Sequence, residues 1–140
     1  MYTFGVRESI RIIAGVLAEL QAAARAHSDQ ECCGLLAARD GVITMLLPAA
    51  NALASATAYE IAPRELFDLF RRIRAEQLEF AGIYHSHISA DNVPSPRDIE
   101  RAFYPDAAYF ILSSRADALA PVRAFSIRAG RVSEFQIVAV

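Results

Sequence analysis

Apolar and polar residues follow one another in rhythms that change along the chain, and each rhythm predicts an element. Residues 9–12 (Ser-Ile-Arg-Ile) alternate with a period of two, as a short strand does. From residue 14 to about 27, Val16, Leu17, Leu20, Ala23 and Ala24 recur at helical spacing and make one apolar face. Ser28-Asp29-Gln30 ends that helix, and residues 31–37 read as a short buried strand. Arg39-Asp40-Gly41 supplies a turn, and residues 42–47 return as the second arm of a hairpin. Small residues over 51–58 predict a loop, followed by a short strand near Tyr59-Glu60-Ile61.

Pro63 suits the first turn of a helix that runs to about residue 77. Its expected inward residues are Leu66, Phe67, Leu69, Phe70 and Ile73, with Arg71, Arg72 and Arg74 mostly outward. Residues 80–87 begin almost without a polar break, as a strand inside a sheet does. A loop over 88–94, a short helix over 95–103, a strand over 108–113 and a last hairpin (122–128 and 131–138, across Ala129-Gly130) complete the pattern. Helices interleave with strands, so the fold class is α/β with a mixed β-sheet flanked by helices.

Length and charge narrow the picture. The 140 residues suit one compact domain over residues 1–140, without linker, repeat or low-complexity tract. A formal net charge of −2 gives no electrostatic basis for binding nucleic acid or an anionic membrane. Every Lys/Arg position is arginine, which codon bias explains most simply. A chain without lysine also escapes side-chain conjugation, which would suit an enzyme that handles protein tags. The two cysteines, Cys32 and Cys33, are neighbours that point to opposite sides of an extended chain, so no ordinary disulfide joins them. They read as small apolar residues of a buried strand. No signal-peptide pattern and no apolar run of ~18 residues is visible, and the expected location is the cytoplasm.

Candidate chemistry gathers in Tyr84-His85-Ser86-His87, seven further residues, then Ser95-Pro96-Arg97-Asp98. Residues two apart on a strand share a face, so His85 and His87 present two imidazoles side by side. Such a pair suits zinc, which at a catalytic site takes three protein ligands and keeps a fourth position open. Asp98 is the natural third ligand. Ser95 has the character of a helix N-cap, Pro96 of the first helical residue, and a carboxylate in the first turn is favoured by the helix dipole. His-x-His alone most often binds nothing, and Ser-Pro-Arg-Asp alone is an ordinary helix start. Together, across one short loop, they point to a metal. His27, at a helix end, is explained by the helix dipole. A base is also needed, and spacing does not choose among Glu31, Glu60 and Glu79. Glu31 opens an apolar strand, although a strand-edge residue facing water would look the same.

This constellation resembles the JAMM or MPN+ metallopeptidases. Their pattern is a glutamate on an early strand, then His-Ser/Thr-His, seven residues, Ser, two residues, Asp. Here it reads Glu31, His85-Ser86-His87, Ser95 and Asp98, and Glu31-Cys32-Cys33-Gly34-Leu35-Leu36 is similar to the surroundings of the family glutamate. The resemblance runs from about residue 10 to the final hairpin. It implies the JAMM/MPN fold, related in outline to cytidine deaminases, although the deaminase Pro-Cys-x-x-Cys is absent. It implies Zn2+ on His85, His87 and Asp98, Glu31 as general base to a zinc-activated water, and Ser95 as an oxyanion donor. That last role competes with the N-cap reading of Ser95.

Within the family the chain is similar to small stand-alone bacterial members that process ubiquitin-like sulfur carriers. The implied activity is hydrolysis of the (iso)peptide bond after a carrier's C-terminal Gly-Gly. A flexible glycine tail would lie extended along a sheet edge, with the loops at 51–58 and 88–94 as candidate channel walls. Three alternatives stand beside this. One is a JAMM peptidase acting on a cell-wall or phage-type peptide. A second is a non-catalytic MPN scaffold, which the complete ligand set disfavours. The third, a nucleic-acid module, is disfavoured by the charge balance.

Overall fold

The computed structural model describes residues 8–89 and 91–140. Its elements are β1 (Ser9–Ile12), α1 (Ala14–Ala26), β2 (Cys33–Arg39), β3 (Val42–Ala49), α2 (Pro63–Ala75), β4 (Glu79–His87), α3 (Pro96–Glu100), β5 (Ala108–Ser113), β6 (Val122–Arg128) and β7 (Arg131–Ala139). Both expected hairpins form. Asp40-Gly41 and Ala129-Gly130 take positive φ at each central residue (51° and 78°, 50° and 77°), the mirror-image turn that matches strand twist.

The strand order is β1-β3-β2-β4-β5-β6-β7, and β7 pairs in parallel with β1, which closes the sheet into a barrel. Nothing in the sequence announced that closure, because a four-residue strand carries no trace of its partners. β4 holds the central place, antiparallel to β2 and parallel to β5, so the sheet is mixed. α1 lays Val16, Leu20 and Ala24 on the face that carries Leu36, Tyr84 and Phe110. α2 covers the opposite face, where Ile73 meets Leu35, Ile83 and Ile111. Alternation along β4 therefore sends Tyr84 and Ser86 toward α1, and Ile83 and His85 toward α2.

Several boundaries depart from expectation. Residues 59–61 are not a strand. The Asn51 side chain serves that segment instead, with its amide donating to the Ala58 carbonyl and its Oδ1 accepting from Glu60 N–H. α2 stops at Ala75, because Gln77 turns left-handed (φ 57°) and the Leu78 N–H closes back on the Ile73 carbonyl. Phe67 faces outward beside Arg71 rather than into the core. α3 ends at Glu100, short of Phe103, where the ladder gives way to a tighter turn from the Ala102 N–H to the Ile99 carbonyl. β2 starts at Cys33, so Glu31 stands two residues ahead of the strand.

Among the described residues no helix is long and apolar enough to cross a membrane. Both cysteines are free thiols, Cys33 buried and Cys32 half-buried.

Candidate metal centre

His85 and His87 lie at the C-terminal end of β4, which β2 and β5 hold on either side. His85 is fully buried, and its ring stacks on Tyr59 with centroids 4.4 Å apart. His87 is partly exposed, and its Nδ1 lies 2.9 Å from the Asp91 carbonyl, to which it donates when the Nδ1 carries the proton. That tautomer leaves the His87 Nε2 lone pair free.

Asp98 reaches the histidines from α3. The Ser95 hydroxyl accepts the Asp98 N–H at 3.1 Å, and Asp98 Oδ2 accepts the Ser95 N–H at 2.9 Å, a complete capping box. The cap fixes the carboxylate as well as the helix start. The Ser95 oxygen acts here as acceptor, which leaves its own O–H able to donate elsewhere.

Three side chains thus meet. His85 Nε2 is 3.3 Å from His87 Nε2 and 3.2 Å from Asp98 Oδ1, and His87 Nε2 is 3.1 Å from Asp98 Oδ2. Four donors at about 2.0–2.1 Å from a zinc ion in a tetrahedron would stand about 3.3–3.4 Å from one another. The separation of the two imidazole nitrogens matches such an edge, each imidazole lies 3.1–3.2 Å from one or the other oxygen of Asp98, and the donor set of two imidazoles and a carboxylate fits that ion. Among the described residues these three form the group able to hold a metal, with ligand atoms within 4.8 Å of one another. The His85 Nδ1 is buried without a hydrogen-bond partner among the described residues, and packing against Tyr59 orients that ring.

Of the three candidate bases, Glu31 alone lies beside this group. Cys33 pairs with His85 across β2 and β4, and the Ser86 N–H donates to the Cys32 carbonyl. Glu31, two residues ahead of the ladder, lies close enough to His87 and Asp98 for their charges to act on it. The Ser86 hydroxyl accepts the Cys32 N–H at 2.9 Å and steadies the approach. The Glu31 N–H donates to the Ser55 carbonyl, and its own carbonyl accepts from Asn51 Nδ2. Its side chain is buried. Glu60 instead pairs with Arg101, and Glu79 is exposed at the far end of β4.

Electrostatics separates the two carboxyls. Burial pushes Glu31 up to about 7, while Asp98 adds to the rise and His87 and Arg97 oppose it. Burial would also raise Asp98, but hydrogen bonds from His85 and His87 hold it well below the usual carboxylate range. His85 is lowered by burial. His87 is raised despite burial, through Asp98 and the Asp91 carbonyl.

A cavity of about 240 Å³ opens beside Asp98, lined by Tyr59, Ile61, Leu66, Ile83, Arg97 and Phe103 among others. Its walls come from 59–66 and 97–104, not from the loops at 51–58 and 88–94. Sequence reasoning missed Tyr59, which sat in a supposed strand, and Asn92, which is buried in the loop after β4. Neither lies in a motif.

The family profile described as prokaryotic homologs of the JAB domain matches residues 14–128. A desampylase from Haloferax volcanii is 34% identical over 101 residues, which are 70% of this chain and 73% of the relative. A CysO-cysteine peptidase from Mycobacterium bovis is 33% identical over 114 residues, 80% of this chain and 77% of the relative. Among solved structures, a protein from Desulfitobacterium hafniense superposes with a TM-score of 0.82 at 28% identity, covering 93% of this chain and 92% of that one. The chain belongs to the prokaryotic JAB-domain family, and its mixed sheet flanked by helices is the JAMM/MPN fold.

Proposed function

We propose that this chain is a zinc-dependent JAMM peptidase, one domain over residues 1–140, that hydrolyses the peptide or isopeptide bond after the C-terminal Gly-Gly of a ubiquitin-like sulfur carrier. One observation carries the proposal: His85, His87 and Asp98 converge, with ligand atoms within 4.8 Å of one another, beside the buried carboxyl of Glu31. The names of the two relatives, a desampylase and a CysO-cysteine peptidase, support the substrate class.

His85 Nε2, His87 Nε2 and an Asp98 oxygen are the atoms that would hold the ion. When bound, zinc supplies Lewis acidity toward the scissile carbonyl and lowers the pKa of a water from 15.7 to about 7. Glu31 takes the proton of the attacking water and returns it to the leaving amine. In the metal-free protein burial raises this carboxyl, the direction that suits a group which must give back the proton it accepts. The Ser95 hydroxyl, with its acceptor side occupied by the Asp98 N–H, turns its O–H toward the developing oxyanion. Glycines in the substrate tail let an extended chain pass close to the sheet, where larger side chains would collide.

The test is incubation of the zinc-loaded protein with ubiquitin-like carriers bearing C-terminal extensions, read by mass spectrometry. Cleavage after Gly-Gly is the expected product. An enzyme that leaves every carrier intact but cuts short cell-wall-type peptides would overturn the substrate assignment.

A further inference from the structure

The loop that joins His87 to the Asp98 cap contains no motif residue between 88 and 94, yet it is held at several points. The Ser114 N–H donates to the His87 carbonyl at 3.1 Å, and the Ser113 hydroxyl donates to the Ser89 carbonyl at 2.8 Å. The strongest hold is Asn92. It is 3% exposed, and its amide donates to the Ile111 carbonyl on β5 at 3.1 Å and to the Ala120 carbonyl at 2.7 Å. Both Nδ2 hydrogens are thus committed to backbone carbonyls, which holds the side chain and the main chain next to it in place.

The main-chain consequence reaches the site. The Asp91 carbonyl belongs to the planar peptide unit that ends on the Asn92 nitrogen, so holding Asn92 restricts where that oxygen can lie. This same oxygen lies 2.9 Å from His87 Nδ1. A metal-bound imidazole keeps its orientation and tautomer through the hydrogen bond made by its other nitrogen. His87 is partly exposed, and among the described residues its ring neighbour is the tilted His85 imidazole at 5.1 Å rather than a stacked ring such as Tyr59 on His85 at 4.4 Å.

We propose that Asn92 is a positioning residue of the metal centre: clamped between β5 and Ala120, it aims the Asp91 carbonyl at His87 Nδ1 and so keeps His87 Nε2 turned toward the ion. The proposal rests on His87 being a ligand, and goes beyond it by assigning the partner that sets this ligand's geometry. Asn92 touches neither substrate nor ion.

The experiment compares the zinc-loaded wild type with Asn92→Ala and Asn92→Ser. Zinc affinity is read by competition with a chromophoric chelator, and the His87 Nδ1–H by its proton resonance and exchange with water. The expected wild type shows a slowly exchanging, downfield His87 Nδ1–H. Asn92→Ala should weaken zinc by ~10-fold or more, the scale of a lost outer-shell partner, and speed that exchange. Asn92→Ser keeps one donor and should lose less, and it serves if the alanine variant fails to fold. Ser113→Ala, which releases the other loop latch, should lower thermal stability while leaving the His87 resonance close to wild type. Unchanged zinc affinity and unchanged exchange in a folded Asn92 variant would overturn the proposal. So would a wild type whose His87 Nδ1–H exchanges freely. A wild type that binds no zinc would overturn the metal reading itself, and is distinguishable because the variants then have nothing to lose.

Discussion

The two imidazoles of the centre are two residues apart on one strand, yet they are held by different physics. His85 is sealed in the face that α2 covers, stacked on Tyr59, with no hydrogen bond to its Nδ1. His87, one pleat nearer the strand end, is partly exposed and set by the Asp91 carbonyl. Packing is insensitive to the identity of any single polar group, whereas a hydrogen bond from a loop is only as well placed as the loop. The sheet half of the site is therefore built by the core, and the half comprising 88–98 by a chain of polar contacts ending in the Ser95–Asp98 box. Stability and metal affinity should respond separately to changes in the two halves.

The largest effect tests what both halves serve. Glu31→Gln should retain zinc and lose ~10²–10⁴-fold in kcat, the range for loss of a general acid–base. Near-normal turnover would move the base elsewhere. Asp98→Ala strikes the loop half twice, removing a ligand and the side chain that accepts the Ser95 N–H. Zinc affinity should fall by more than the ~10–100-fold of an outer-shell loss, as read by chelator competition. Unchanged retention would mean that Asp98 is not a ligand.

Gly34→Ala strikes the sheet half alone. A Cβ there would meet the Leu47 carbonyl and come within 2.6 Å of the Tyr84 hydroxyl. The expected cost is about 1–3 kcal/mol in urea unfolding, with zinc affinity in the folded fraction little changed. Ser95→Ala is the milder counterpart for stability in the loop half, although loss of its oxyanion role should lower kcat by about 10²–10³-fold. Loss of the cap should cost about 1 kcal/mol, seen as a Tm lower by a few degrees.

The smallest effect is one of pH on the metal-free protein. Glu31 keeps its proton in the folded state up to about 7, whereas the unfolded chain releases it near 4.5. Between those values the folded state binds more protons, so this group's contribution to stability falls as pH rises. Urea titrations at a series of pH values should show that slope in the wild type and a flatter one in Glu31→Gln.

The contrast between halves also explains what the sequence disclosed. β4, α1 and the two hairpins are local patterns: apolar runs, helical spacing and Asp-Gly or Ala-Gly turns, each read within a dozen residues. His85, His87, Ser95 and Asp98 were visible because strand alternation and helix capping place them by local rules, and the structure brings His85, His87 and Asp98 together. Contacts that depend on distant chain stayed hidden. Closure of β7 on β1, the Tyr59 ring on His85 and the Asn92 clamp join residues far apart in sequence. Glu31 falls between these cases. Its neighbourhood suggested a strand, but its backbone bonds to Ser55 and Asn51 in a long loop, and the ladder begins only at Cys33. Phe67 erred for a related reason, since helical spacing identifies an apolar stripe without saying where the stripe ends.

The most direct measurement is the metal content of the purified chain after zinc loading and removal of free ion, made in parallel on the wild type and on His85→Ala. The wild-type chain should hold close to one zinc and the variant almost none. A folded wild type that stays empty, or a variant that holds as much zinc as the wild type, would contradict it.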